Sequence, residues 1–187
     1  MAAEKSKSYC EFVERLEPSN VHRIYHDTQY GFPIDSDNEL FGRLILEINQ
    51  AGLSWTTILN KQENFRNAYS NFNIHKVANY AEKDIKRLLS DAGIIRNKLK
   101  VNAAIYNAQM IINIQKEHGS FKAWLDNNHP MNIDHWVKLF KSIFKFTGPE
   151  ITNEFLTSTG YLAGAYIVSC PVFAQIKRQN PMWDRSK

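Results

Sequence analysis

Glu47 is the residue whose position most needs explaining. A 3.6-residue period runs through Leu40, Phe41, Leu44, Ile45 and Ile48, and Glu47, placed after Leu44 by one helical turn, falls along that apolar stripe. A carboxylate on an inward face must find donors or carry a desolvation cost on the order of several kcal/mol. Two readings are open from the helix alone: an acid satisfied by a backbone amide or an arginine, or an acceptor kept for a ligand. The phrase RIYHDTQYGFP lies upstream and the loop Gln50-Ala51-Gly52-Leu53-Ser54 follows at once, which groups Tyr25, Tyr30 and Trp55 around one acid. Aromatic faces around a single hydrogen-bond acceptor are what an extruded purine requires. Aromatic side chains equally dominate ordinary cores.

The elements that must position these residues are helices. Helix signals recur from about residue 36 to the end, with no sustained apolar/polar alternation bounded by hairpin turns, so the fold class is all-α. Asp35 or Ser36 caps a helix ending near Gly52, and Ser54 starts another running through Trp55, Ile58 and Leu59 towards Tyr69. Shorter pieces follow at His75 to Tyr80 and Glu82 to Asp91, with Gly93 suited to a left-handed cap. A long core helix from about Arg96 to Lys116, apolar at Leu99, Val101, Ile105, Ile111 and Ile114, stops before Gly119. Ser120 caps a short piece to Asn127, and Pro130 breaks the chain. A helix with Trp136, Val137, Leu139 and Phe140 then leads to FKFTGPE, where Pro149 suits the first position of a helix ended by Gly160. Pro171 and Pro181 interrupt the last stretch.

At 187 residues and 43% apolar composition, the chain can bury one substantial core. We expect roughly eight helices in one compact domain over 1–187, with a lobe made by the terminal regions packed together. The formal charge of +4 suits a polyanionic partner without requiring one. Two cysteines at opposite ends, Cys10 and Cys170, argue against a disulfide framework and for a reducing, intracellular setting. The stretch MAAEKSKSYCEF lacks the apolar core of a secretory signal, and no run is long enough to cross a bilayer. The expectation is a soluble, cytoplasmic chain.

The block LEINQAGLSWTTILNKQENFRNAY resembles a characteristic segment of the 3-methyladenine DNA glycosylase I family. YHDTQYGFP, DAGIIRNKLK (Asp91 to Lys100) and FKFTGP (Phe144 to Pro149) match it in the same order and at compatible spacings, from about Cys10 to Cys170. The resemblance implies a helix-hairpin-helix glycosylase fold. It also implies a monomeric, monofunctional enzyme that flips 3-methyladenine out of alkylated double-stranded DNA, hydrolyses its glycosidic bond and releases the free base. Carried over residue by residue, Glu47 is the catalytic-site acceptor for the adenine edge, and Tyr25 and Trp55 line the pocket. Phe12 stands where a stacking Trp is common. Gly52 and Leu53 belong to the loop that enters the gap left by the base.

The same resemblance makes FKFTGP a hairpin whose backbone around Thr147 and Gly148 holds a DNA phosphate, with Lys145 beside it and Lys98 and Lys100 as counter-charges elsewhere. An ordinary helix–helix turn is the other reading of the Gly-Pro pair. The wider superfamily places a catalytic Asp downstream of its hairpin; here no Asp or Glu lies between Glu154 and Asp184, as in the resembled family. Methylation at N3 makes adenine cationic and a good leaving group, so enclosure, bond strain and one water suffice.

Three positions depart from the family pattern. His22 stands where a pocket Tyr is common and Tyr30 where a Trp is usual, which opens the alternatives of a shifted lesion specificity or a non-catalytic damage-binding relative. A helical protein-interaction domain would explain the fold but not the matched pocket. Bacterial relatives commonly pin their termini with zinc through two Cys and two His; Cys10, His26 and Cys170 match three of these, and Tyr166 replaces the fourth. Tyr is a rare zinc ligand, so one structural zinc and a metal-free packing of small buried thiols both stand as readings. The connection between Asn127 and Phe144 is also more compact than is usual in the family.

Overall fold

Helices account for all the regular structure among residues 7–185, the part of the chain that the computed structural model describes. Residues 1–6, part of the stretch read for a leader, lie outside the described residues. In chain order the first helices are α1 (Tyr9–Glu14), α2 (Val21–Thr28), α3 (Asp37–Gln50), α4 (Trp55–Leu59), α5 (Gln62–Ala68) and α6 (Ile74–Ala78). They are followed by α7 (Glu82–Ser90), α8 (Lys98–His118), α9 (Phe121–Asn128), α10 (Ile133–Ile143), α11 (Pro149–Ser158) and α12 (Pro171–Arg178). None of the helices among the described residues is long and apolar enough to cross a membrane. The chain divides into two compact units, one made of the segments up to Pro33 and from Leu156, the other of Ile34–Phe155.

The second unit is built on α3. Ser36 caps it by accepting from the Glu39 amide, and Leu40, Phe41, Leu44, Ile45 and Ile48 are all fully buried, as the period predicts. Burial goes further than one stripe: Gly42, Arg43, Leu46, Glu47 and Asn49 are buried too, so α3 is a central helix. Asp37, in its first turn, accepts from the side chain of Gln115 on α8 at 2.6 Å and from the Phe121 and Lys122 amides of α9 at 2.8 and 2.9 Å. One carboxylate thereby ties α3 to α8 and satisfies two orphan amides at the start of α9. Around it Phe121, Trp124, Phe140, Phe144 and Phe155 pack as one aromatic cluster, with ring centroids 5.3–6.3 Å apart.

Several expectations need correction. Among the described residues there are twelve α-helices rather than roughly eight, and α1 and α2 precede residue 36, where short length hid their period. The helix expected from Ser54 towards Tyr69 is two, α4 and α5, broken at Asn60 and Lys61. Gly93 is no left-handed cap: α7 ends on Asp91 in extended conformation, and the Gly93 amide donates to the Asp91 carboxylate at 2.7 Å. Leu99 is 65% exposed, because it lies in the first turn of α8 before the core side of the helix begins at Val101. Pro171 does not interrupt a helix; it begins α12.

Residues Ser70, Asn71 and Phe72 form a left-handed turn, with φ of 54°, 57° and 56°, costly for side chains other than glycine. It brings the Phe72 ring against Gly42 of α3, while the Arg66 guanidinium lies over that ring at 5.1 Å and pairs with both oxygens of Glu39. A β-carbon on Gly42 would lie 2.4 Å from Phe72 Cδ2. Gly42→Ala is therefore expected to destabilise the fold by about 1–3 kcal/mol through overpacking. An unchanged denaturation midpoint would show that Phe72 yields freely.

Candidate functional site

The candidate residues fall on both units. In the second unit Glu47 begins the last turn of α3 and is 1% exposed. The helix ends three residues later, and the chain turns outward through Ala51, Gly52 and Leu53, all exposed, before Ser54 caps α4 and sets the half-buried Trp55 at its first position. Gly52 has φ +81° and no atom near its missing β-carbon, so the backbone here is both left-handed and open to a partner's close approach. Leu53 is 39% exposed, an apolar side chain presented on a loop. Its amide donates to the Gln50 carbonyl at 2.7 Å and its carbonyl accepts from the Gln50 side chain.

Lys100 explains why this loop is defined. Its Nζ donates to the carbonyls of Asn49 at 3.1 Å and Ala51 at 2.8 Å, closing the C-terminal end of α3 from α8. The residue is buried, and that burial lowers the pKa of its amine. Lys100, expected to counter a DNA phosphate, has its ammonium engaged inside, on the loop that follows Glu47. Lys98, two residues before it, is exposed.

The FKFTGP turn does join two helices, α10 and α11. Asn107 of α8, fully buried and not singled out from the sequence, accepts from the Lys145 amide at 2.8 Å and donates to the Lys145 carbonyl at 3.1 Å. This double bond to the backbone fixes the turn, while the Lys145 ammonium sits over the Tyr106 ring at 5.0 Å on the surface. Thr147 is 2% exposed and its hydroxyl donates to the Phe144 carbonyl, so its side chain braces the turn internally. Gly148 meets nothing where a β-carbon would be, and the turn also exposes the Phe146 ring in a left-handed conformation, φ 60°. The exposed surface of the turn is therefore Lys145, Phe146 and backbone.

In the first unit Phe12, His22, Tyr25 and Tyr30 gather around a residue that sequence reasoning missed, Tyr9. Its ring stacks on Phe12 at 6.1 Å and meets His22 at 5.9 Å and Tyr30 at 5.5 Å edge-on; Tyr25 joins through Tyr30 at 5.6 Å. The Tyr9 hydroxyl and His22 Nδ1 share a hydrogen bond of 3.0 Å. Burial holds the His22 pKa below its usual value, so the ring is neutral at pH 7. Tyr9 lies one turn before Phe12 on α1, a spacing that could have drawn attention to it.

The same unit gathers Cys10, His26 and Cys170. One ligand atom from each lies within 4.8 Å of the others, all three residues are buried, and among the described residues no further His, Cys, Asp or Glu completes the group. His26 Nδ1 is held by Asp27 at 2.6 Å, which leaves Nε2, 3.8 Å from Cys170 Sγ, on the thiol side. Arg23 in turn donates to Asp27 at 2.7 Å. Burial raises the Cys10 pKa to about 11, so without a cation this thiol stays protonated; a bound divalent ion reverses that balance. Tyr166 packs against His26, ring centroids 4.7 Å apart, but its hydroxyl proton is shared between the carbonyls of His26 and Tyr30. Two soft donors and an oriented imidazole fit zinc or a similar ion.

A profile of the methyladenine glycosylase family matches residues 15–140. The DNA-3-methyladenine glycosylase 1 of Escherichia coli (strain K12) is 34% identical over 169 residues, which cover 80% of this chain and 90% of that protein. The DNA-3-methyladenine glycosylase of Haemophilus influenzae is 36% identical over 171 residues, covering 81% and 92%. A crystal structure of a 3-methyladenine DNA glycosylase I variant in complex with 3-methyladenine superimposes with a TM-score of 0.76 at 30% identity, covering 83% of this chain and 94% of that one. Matches of this length take in α2, the whole of α3 with Glu47 and the loop after it, and on these grounds the chain belongs to the methyladenine glycosylase family.

Proposed function

We propose that the chain, acting as one glycosylase domain over 1–187, removes 3-methyladenine from alkylated double-stranded DNA and leaves an abasic site. The observation that carries this reading is Glu47: a carboxylate 1% exposed, on the most buried helix, one turn before an exposed Gly-Leu loop, in a member of this family. Leu53 enters the space vacated by the flipped base, and Lys145, Phe146 and the backbone at Gly148 engage the DNA strand. The base stacks on Trp55, and its edge donates hydrogen bonds to Glu47.

In the reaction the C1′–N9 bond breaks and its electron pair leaves with the base, cancelling the positive charge that alkylation introduced. Water adds to C1′ and gives up a proton. Glu47, as acceptor, favours the donor-bearing cationic base and holds it while the bond stretches. No lysine forms a covalent intermediate. The neutral His22 and the tyrosine at 30 reshape the stacking surface relative to the family pattern, and this favours, as a second reading, a lesion range wider than or different from 3-methyladenine alone.

We further infer that Cys10, His26 and Cys170 hold one structural metal ion, zinc by donor type, that joins the N-terminal and C-terminal segments of the first unit. When bound, the ion supplies cross-linking of the fold and takes no part in base release.

Purified protein should release 3-methyladenine from methylated DNA, and Glu47→Ala should slow release by about tenfold or more, equivalent to ~1.4 kcal/mol of lost transition-state stabilisation. Well-folded protein that releases nothing across a panel of alkylated bases defeats the reading. The two lysines give a second check. Lys145→Ala should lower the slope of log affinity against log salt by about 0.9, whereas folded Lys100→Met should leave that slope unchanged because its charge is internal. Protein purified without added metal or chelator should carry about one zinc per chain, and Cys170→Ser should abolish it; near-zero stoichiometry in the unsubstituted protein would remove the metal.

A further inference from the structure

We propose that the metal at Cys10, His26 and Cys170 keeps one coordination position for an exchangeable neutral ligand, water at rest and replaceable by a small nitrogen base. This rests on the metal reading above. Structural zinc is normally closed by four protein ligands, whereas zinc with three keeps a position for a small molecule. Among the described residues the chain supplies three: Cys10 from α1, His26 from α2 and Cys170 immediately before α12. Tyr166, whose ring packs on that of His26 at 4.7 Å, has its hydroxyl committed to the carbonyls of His26 and Tyr30.

All three donors line a single cavity of about 290 Å³, bordered also by Glu11, Glu14, Arg23, Asp27 and Gln175. That is ample for a bound water and for a ligand the size of imidazole. Its charge selects among ligands. Arg23 is paired with Asp27 at 2.7 Å, so the carboxylates of Glu11 and Glu14 are left to set a negative potential. A divalent ion bound by two thiolates carries no net charge to offset it. An anion entering such a cavity meets repulsion from both glutamates, whereas a neutral donor does not.

The test uses the full chain with Co²⁺ as the bound metal, whose visible ligand-field bands report its coordination. Imidazole should shift the bands saturably with one-to-one stoichiometry, and azide at the same ionic strength should not. Tyr166→His, which sets an imidazole beside His26, should show the imidazole-bound spectrum from the outset, no response to added imidazole, and slower loss of metal to a chelator. The double variant Glu11→Gln, Glu14→Gln leaves Tyr166 and its hydrogen bonds in place and should tighten azide binding by about tenfold. Bands that ignore imidazole, or that answer azide equally in the unsubstituted protein, overturn the proposal while leaving the metal in place. Failure of the bands to appear at all overturns the metal reading itself, and neither result touches base release.

Discussion

Burying α3 on every side is the constraint on which the rest of the second unit depends. A helix with only one apolar stripe can rest on a surface, but this one carries Arg43, Glu47 and Asn49 inward together with its leucines and isoleucines. Each polar group taken inside must be held, and the second unit is arranged accordingly. Asp37 at one end of the helix gathers α8 and α9. Lys100 at the other end closes its last carbonyls. Between them Gly42 gives up its side chain so that Phe72 can approach, at the cost of three left-handed residues in a row. A carboxylate held at 1% exposure in such a frame has little freedom to relax, and that is the condition the proposed role of Glu47 as an acceptor requires.

What could be read from the sequence follows from what is local. The period through α3, the serine caps of α3, α4 and α9, and Pro149 at the head of α11 are settled by neighbours in the chain, and the structure has them. Glu47 stood out because its anomaly lay within one helix. The internal bonds of Lys100 and Asn107 did not, because their partners are far along the chain: Lys100 reaches back to Asn49 and Ala51, and Asn107 reaches forward to Lys145. A lysine in a basic stretch reads as a surface charge until the carbonyls that capture it are known. The helices α1 and α2 escaped for a different reason, since six and eight residues are too few to display a period.

The first unit meets a different physical problem. It is assembled from segments separated by the whole of the second unit, so its contacts close a very long loop, whose entropic cost grows only as the logarithm of its length but is not repaid by local helical bonds. A metal that takes two ligands from one segment and one from the other would add a strong cross-link between them. The Gly31 amide bonded to the Ser158 carbonyl and the Tyr166 hydroxyl bonded to the carbonyls of His26 and Tyr30 join the same two segments without a metal.

Those last contacts bear on the departures from the family pattern. His22, Tyr30 and Tyr166 look like three separate changes along the sequence. In the structure they belong to a single network: His22 bonds to the Tyr9 hydroxyl, Tyr9 meets Tyr30 edge-on at 5.5 Å, and the Tyr30 ring lies 6.1 Å from Tyr166, which bonds to the Tyr30 carbonyl and packs on His26. The Tyr166 hydroxyl, shared between the carbonyls of His26 and Tyr30, holds α2 and the aromatic residue following it. The aromatic group around Tyr9 and the Cys10, His26 and Cys170 cluster are thereby one piece of structure, and a change at 166 is expected to be felt in both.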